Sequence, residues 1–196
     1  MKFYVVDDDY IEHLIKVDGH VYKNKAGRPY IGVLFEVNGS KFLAPLTSYK
    51  EKHDRIPDTS PLIFKMYELG SESDENDEGD DGGEAKEINK LGMVQLNNMI
   101  PVPDSEMELF NVNSRDAKYR NLLDMQQQYL RKHQEEFQKK AKKLYSIVKG
   151  GHARGLISKC CDFTALEAAM LSYSSKAQQP ASQTKLDALA GMFEKK

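Results

Sequence analysis

Side chains that can bind a phosphate group are concentrated at positions 47 to 53 of the chain. Thr47 and Ser48 carry hydroxyls, Lys50 and Lys52 carry ammonium groups, and His53 carries an imidazole. Hydroxyls hydrogen-bond phosphate oxygens, ammonium groups neutralise their charge, and an imidazole exchanges protons near neutral pH. Chemistry on a phosphodiester needs these functions together, so the segment is a candidate active site. Taken alone, Thr-Ser-x-Lys after a strand is also an ordinary polar turn.

A β-hairpin is predicted immediately before this segment. Residues 30–37 form a run of apolar and aromatic side chains, and residues 41–46 return antiparallel to them. Asn38-Gly39 lies between the two runs and tolerates the positive φ that a tight hairpin turn requires. We expect the second strand to stop at Pro45. The hairpin would then present the polar residues at one end of a rigid scaffold.

Acidic residues are concentrated in one internal segment, and the rest of the chain is basic. Residues 71–87 contain nine acids and one lysine, so the remainder carries a net charge of about +6 although the whole chain carries −2. That balance permits a polyanionic partner such as nucleic acid. The segment has one alanine and no other apolar residue. We therefore expect a flexible insert within a single domain of residues 1–175.

The sequence gives no indication of a metal, a cofactor or a membrane span. Cys160 and Cys161 are the only cysteines, and adjacent cysteines rarely pair because their geometry resists it. No cysteine or histidine spacing suggests a metal site. No segment reaches membrane-spanning length, and the first residues lack a long apolar run. We expect a cytoplasmic protein with reduced thiols and no cofactor.

The periodicity along the chain predicts an α+β fold with a mostly antiparallel sheet. A short helix should open at Asp9, which forms a capping-box pattern with Glu12, and end near residue 17. A tail of residues 176–196 follows the domain and contains, at 186–193, the spacing of a short amphipathic helix. Strands in addition to the hairpin are expected at residues 2–6, 62–69, 91–96 and 107–112.

Helices dominate the C-terminal half of the predicted domain. A cap at Asn113 and Asp116 opens one long helix that ends at Gly150-Gly151, and a capping box of Thr164 and Glu167 opens another through residue 173. The apolar stripe of the long helix favours a core face over a coiled-coil seam, because Gln126 and His133 interrupt it. The stripe comprises Tyr119, Leu122, Leu123, Leu130, Phe137, Ala141, Leu144 and Val148.

Three stretches of the chain carry a family resemblance: MKFY at the N-terminus, YIG…EVNG…KFLAPLTS at 30–48, and LGMVQLNNMIPVP at 91–103. They resemble the toxins of type III toxin–antitoxin systems, the ToxN group that includes the phage-abortive protein AbiQ. The similarity runs to about residue 170, and the insert and the tail depart from it. It implies a metal-independent endoribonuclease with a compact, partly barrel-like antiparallel sheet. It also implies inhibition by a repeated RNA that folds as a pseudoknot, which the toxin cuts from its own precursor in a higher-order protein–RNA assembly.

The resemblance places the functional positions on Thr47, Ser48 and Lys50, with Arg28 where relatives can carry lysine. In a metal-free cut the ribose 2′-OH attacks the phosphate, which yields a 2′,3′-cyclic phosphate and a 5′-OH. The two hydroxyls suit the phosphate or the 2′-OH, Arg28 suits the phosphate charge, and Lys50 suits the leaving oxygen if burial lowers its pKa. His53 is either a proton carrier or a solvated loop histidine.

RNA contacts are expected on basic surfaces outside this loop. Tyr22 can stack on a base, and the helix face with Lys118 and Arg120 is either a solvated surface or a contact for antitoxin phosphates. The cations around Gly150-Gly151 are either an ordinary helix C-terminus or a backbone contact. A non-catalytic RNA-binding module remains the alternative function. The candidate RNA-binding residues are Tyr22, Lys23, Lys25, Lys52, Lys118, Arg120, Lys149, His152 and Arg154.

Overall fold

A computed structural model of the protein describes residues 1–23, 30–68 and 89–177. The predicted insert at 71–87, the predicted helix at 186–193, and the candidate site residues Lys25 and Arg28 lie outside these ranges. The described strands are β1 (Phe3–Val6), β2 (Tyr30–Val37), β3 (Ser40–Thr47), β4 (Ile63–Tyr67), β5 (Lys90–Gln95), β6 (Ile100–Pro101) and β7 (Met107–Leu109). The described α-helices are α1 (Asp8–Ile15), α2 (Ala117–Lys132), α3 (Gln134–Gly150), α4 (Arg154–Ile157) and α5 (Phe163–Ala177).

The seven described strands form one antiparallel sheet in the order β4-β5-β3-β2-β1-β7, and β6 pairs with β3. Aromatic side chains join the sheet to the C-terminal helices. Phe35 of β2 meets Phe137 of α3 edge-on, with ring centroids 5.2 Å apart, and Phe42 of β3 meets Phe163 of α5 at 5.9 Å. All four rings are buried. The predicted α+β class with a mostly antiparallel sheet is confirmed.

The predicted hairpin is present as β2 and β3. Val37 pairs with Ser40, and Asn38 and Gly39 adopt φ values of 50° and 80°, as the tight turn requires. The predicted end at Pro45 is wrong, because β3 continues to Thr47. Pro45 instead marks a change of partner. The strand pairs with β2 up to this residue and with β5 at Leu46 and Thr47.

Aspartates cap three helices, and two of these caps lie earlier than predicted. Asp7, not Asp9, caps α1, since its carboxylate accepts a hydrogen bond from the Asp9 backbone N–H at 2.9 Å. Asp116 caps α2 by accepting from Tyr119 N–H at 2.9 Å. Ahead of α5, Asp162 rather than Thr164 accepts from Ala165 N–H at 3.0 Å. Each carboxylate satisfies a backbone donor that has no partner within the helix.

The predicted long helix is two helices. The helical backbone is interrupted at His133, whose φ of −105° and ψ of 26° are not helical, and α3 begins at the next residue. The interpretation of the apolar stripe as core is confirmed, because Leu123, Leu130, Phe137, Ala141 and Leu144 are buried.

Gln126, which interrupts the stripe, is also buried, and its amide nitrogen donates to the Leu91 carbonyl of β5 at 2.7 Å. This hydrogen bond offsets the desolvation free energy of burying a polar side chain, and it connects α2 to β5.

No helix within the described ranges is long and apolar enough to cross a membrane. The described residues also contain no cluster of three or more histidine, cysteine or acidic side chains that could hold a metal ion. Cys160 and Cys161 are buried and unpaired, and burial raises the pKa of the Cys160 thiol to about 11.

Candidate active site

The backbone that carries Ser48 is held against β5 by a glycine. Thr47, the last residue of β3, pairs with Met93, and Gly92 lies beside it with a φ of 127°. A Cβ atom at Gly92 would lie 2.5 Å from the Thr47 carbonyl oxygen and 3.4 Å from the Ser48 Cα atom. Only glycine permits this approach and this φ. The backbone at Ser48 is therefore closely packed, while the Ser48 side chain is exposed.

Gln95 links the hydroxyl of Thr47 to the phenol of Tyr22. The Gln95 amide nitrogen donates to Thr47 Oγ1 at 2.6 Å, and its amide oxygen accepts a hydrogen bond from the Tyr22 hydroxyl. Tyr22 remains 41% exposed, so part of its ring faces solvent beside the site. Gln95 was not among the predicted site residues. Its role depends on the β3–β5 pairing, which local sequence does not reveal.

The loop that carries Tyr22 is anchored at two points. The carbonyl of His20 accepts from the Asn98 side chain at 2.8 Å, and the Asp18 carboxylate accepts from the Asp162 backbone N–H at 2.6 Å. Val21 is buried between these anchors and Tyr22. The structure thus brings the predicted Tyr22 to Thr47, across 25 residues of sequence.

His53 is buried rather than solvated. It lies in a short 3₁₀ helix (Glu51–Arg55), is 7% exposed, and its Nδ1 accepts a hydrogen bond from the Lys50 backbone N–H at 3.1 Å. Burial, followed by the charges of Lys52 and Lys50, lowers the pKa of His53 from its ordinary value. The ring is therefore neutral at pH 7. Because Nδ1 is the acceptor, the proton is on Nε2.

A second set of contacts braces the loop after Ser48. The Tyr49 hydroxyl donates a hydrogen bond to the Asp54 carboxylate at 2.7 Å. The Lys90 ammonium lies 3.0 Å from the same carboxylate and 5.1 Å from the centroid of the Tyr49 ring. Hydrogen bonds from Tyr49 and Lys90 lower the pKa of Asp54. Tyr49 and His53 meet edge-on at 6.4 Å. The loop therefore contacts both the start of β5 and its own 3₁₀ helix.

Lys65 adds a cation that the sequence analysis missed. It lies on β4 opposite Met93, whose other neighbour is Thr47, so the three residues share one row of the sheet. Its side chain is 13% exposed, its ammonium lies 2.9 Å from the Asp58 carboxylate, and it lines a shallow depression together with His53 and Tyr49. A largely buried cation, paired with Asp58, thus lies in the same row of the sheet as Thr47.

The predicted RNA-binding residues are spread over several surfaces. Lys149 is engaged by the Glu167 carboxylate at 2.7 Å, which favours the structural interpretation of that residue. Lys118 and Arg120 lie in the first turns of α2, the helix that packs on β4 and β5. All the candidates that the structure describes are exposed: Tyr22, Lys23, Lys52, Lys118, Arg120, Lys149, His152 and Arg154.

Comparison with known proteins decides the family. A sequence model described as the toxin ToxN of the type III toxin–antitoxin system matches residues 2–171. The chain belongs to this family. Endoribonuclease ToxN of Pectobacterium atrosepticum is 30% identical over 186 residues, which cover 91% of this chain and 96% of the relative. Endoribonuclease AbiQ of Lactococcus lactis subsp. lactis is 29% identical over 185 residues, which cover 90% of this chain and 91% of the relative.

Solved structures of ToxN-family proteins share the fold. One comes from work on a processed non-coding RNA that regulates a bacterial antiviral system. It has a TM-score of 0.70 at 29% identity, and the match covers 86% of this chain and 96% of the solved chain. A structure of AbiQ, described as a lactococcal anti-phage endoribonuclease of the type III system, has a TM-score of 0.70 at 28% identity and covers 89% and 98%. The predicted membership of the ToxN family is confirmed.

Proposed function

We propose that this ToxN-family protein cuts RNA without a metal ion, by attack of the ribose 2′-OH on the adjacent phosphate. Its relatives are named endoribonucleases, and the chain is accordingly a type III toxin with endoribonuclease activity. The observation that carries the chemical proposal is the geometry at Ser48, whose exposed hydroxyl stands on the backbone packed against Gly92, next to the Thr47–Gln95–Tyr22 hydrogen bonds. A positioned donor of this kind stabilises a phosphorane at little reorganisation cost.

Each candidate side chain has a distinct part in this proposal. Ser48 donates a hydrogen bond to the scissile phosphate. Thr47 supports this interaction, because Gln95 fixes the orientation of the Thr47 hydroxyl. Lys50, exposed two residues later, and Arg28 balance the charge that accumulates on the phosphate. The 2′-OH supplies the nucleophile, so no covalent enzyme intermediate is required.

His53 is proposed to position the loop rather than to act as the general base. A base at Nε2 would need that nitrogen unprotonated, with the proton on Nδ1. The Lys50 backbone N–H already points at Nδ1 at 3.1 Å, so the two donors would compete. The neutral Nε2–H ring instead braces Lys50 at the start of the 3₁₀ helix.

Inhibition of this protein is proposed to follow the pattern of its family. A solved relative at TM-score 0.69 comes from work on selective toxin inhibition by a non-coding RNA pseudoknot. We infer that this chain binds such an antitoxin, cuts it from a tandem-repeat transcript, and assembles with it in a protein–RNA complex. In the cytoplasm, release of the toxin would stop growth and abort phage infection, as the description of AbiQ as an anti-phage endoribonuclease suggests.

Cleavage in EDTA with mapping of the RNA ends tests the proposal. Purified protein, freed of antitoxin, should cut single-stranded RNA and leave a 5′-OH and a 2′,3′-cyclic phosphate. Uncut RNA with a folded sample would contradict the nuclease assignment. Products with 5′-phosphate ends would contradict attack by the 2′-OH, because that route leaves the 5′-oxygen without phosphate.

A further inference from the structure

Three aromatic rings follow one another at the β4 edge of the sheet. Tyr67 ends β4, Tyr129 lies on α2, and His133 occupies the break between α2 and α3. The His133 and Tyr129 rings are stacked, with centroids 4.3 Å apart and planes 26° from parallel, and Tyr67 meets Tyr129 at 6.2 Å. All three residues are partly exposed. We call them the edge rings.

The edge rings are held in place from below and from the side. The buried Phe64 lies 6.2 Å from the Tyr129 ring and 5.4 Å from Phe137, which supports Tyr129 from the core. The Tyr67 hydroxyl donates to the Asp58 carboxylate at 2.7 Å. Binding of a ligand that stacks on these rings would therefore cost little side-chain entropy of the protein, because the rings are already held in place. Rigid aromatic surfaces of this kind suit base stacking.

The edge rings begin beside the candidate active site. Tyr67 lines the same shallow depression as His53 and Tyr49, and Tyr49 is bonded directly to Ser48 in the chain. From there the rings lead away over α2 to His133. Tyr67, the first of the edge rings, therefore shares a depression with the residue that follows Ser48.

Cations accompany the edge rings. The Lys140 ammonium lies 2.7 Å from the Asp58 carbonyl oxygen and 5.9 Å from the Phe64 ring centroid, Lys65 lies on the same edge strand, and Lys132 is exposed beside His133. The carboxylates in the group are Asp58 and Glu136, the latter 3.5 Å from His133 Nδ1. Positive charge beside exposed rings is the arrangement that binds single-stranded nucleic acid.

We propose that the edge rings are a stacking subsite for bases of single-stranded RNA that flank the scissile bond. The inference rests on the proposed nuclease function, which supplies the RNA. Stacking uses the π face that every base has, so the subsite adds affinity for unpaired strands without specifying a sequence. It would therefore favour flexible mRNA over base-paired RNA.

Binding of two probes to a His133→Asn variant tests the subsite. The first probe is a 2′-fluoro oligoadenylate of about ten nucleotides, which cannot be cut by 2′-OH attack, and the second is an abasic strand of equal length. Asparagine keeps a polar side chain suited to the irregular backbone at this position. We expect the variant to bind oligoadenylate roughly tenfold more weakly than the wild type, with no change for the abasic strand.

His13→Asn is the matched control, because His13 is also partly exposed and also lies against a tyrosine, Tyr173, at 5.0 Å, but on α1. It should bind both probes like the wild type. A second variant, Tyr129→Leu, preserves apolar packing and should show the same selective loss as His133→Asn. Equal losses on both probes, or unchanged binding of oligoadenylate by both edge-ring variants, would overturn the subsite. Cleavage by the wild type is scored separately, so a folded wild type that cuts no RNA refutes the nuclease and not the stacking.

Discussion

At the scale of single residues, His53 shows how burial changes the role that residue type suggests. An imidazole beside two hydroxyls is the natural choice for a proton carrier, since its unperturbed pKa is near neutrality. In the structure it is 7% exposed and accepts from the Lys50 backbone, which fixes its tautomer. The ring thereby becomes a brace for the loop that carries Ser48 and Lys50.

The lowered pKa of His53 predicts a pH-dependent contribution to stability. As the pH falls below about 6.5, the unfolded chain takes up this proton before the folded protein does, so the free energy of unfolding decreases towards the folded pKa. His53→Asn should lose this part of the slope, whereas the exposed His152→Asn should retain it. Urea unfolding at several pH values measures the slopes. A His53 NMR titration midpoint at or above 6.5 would refute the prediction.

Residue types at the candidate site were visible in the sequence, but their partners were not. Thr47, Ser48 and Lys50 are consecutive or nearly so, and their chemistry can be assessed without a structure. Gln95 and Lys65 join them only through the pairing of β3 with β5 and of β5 with β4. Sheet register depends on contacts between distant segments, so no local pattern reports it.

At the scale of elements, the contact between β3 and β5 sets the position of Ser48. Gly92→Ala would place a methyl group 2.5 Å from the Thr47 carbonyl and would strain a φ of 127°. We expect a loss of about 1–3 kcal/mol in stability, and a fall in cleavage rate among the molecules that remain folded. Thermal unfolding and single-turnover cleavage measure the two effects.

Gly39→Ala is the control for Gly92→Ala, because Gly39 also has a positive φ, 80°, but a Cβ there meets nothing within 4 Å. This variant should lose stability through backbone strain and keep the wild-type cleavage rate. If both variants cut RNA equally fast, the contact of Gly92 with Thr47 has no part in the site.

Helices and strands differ in how well their local sequences predict them. The hairpin was predictable because the strand pattern and Asn38-Gly39 agree on one geometry. The break at His133 was not, because the apolar period continues from Leu130 to Phe137 across it and no proline or glycine marks it. The stacking of His133 on Tyr129, four residues before it, is a local contact that accompanies the interruption.

At the scale of the whole molecule, hydrogen bonds connect β4 to β5 at the residues that flank the segment containing the acidic insert. The Glu68 backbone N–H donates to the Asn89 carbonyl at 2.9 Å, and the Asn89 side chain donates to the Glu68 carboxylate at 2.8 Å. Replacing residues 71–87 by a short glycine–serine linker should therefore leave folding and RNA cleavage intact. Cleavage of the same RNA by the deletion and the full chain checks this. A folded deletion variant that no longer cuts would show that the insert has a part in the reaction.

RNA is proposed to be cleaved at the hydroxyl of Ser48, and single-turnover RNA cleavage by Ser48→Ala tests this placement most directly. The control is Ser158→Ala, an exposed serine after α4. Loss of the positioned hydroxyl should slow cleavage at least about a hundredfold, whereas Ser158→Ala should cut at the wild-type rate and both should bind antitoxin RNA normally. Cleavage by Ser48→Ala at the full wild-type rate would contradict the placement of the active site at the end of β3.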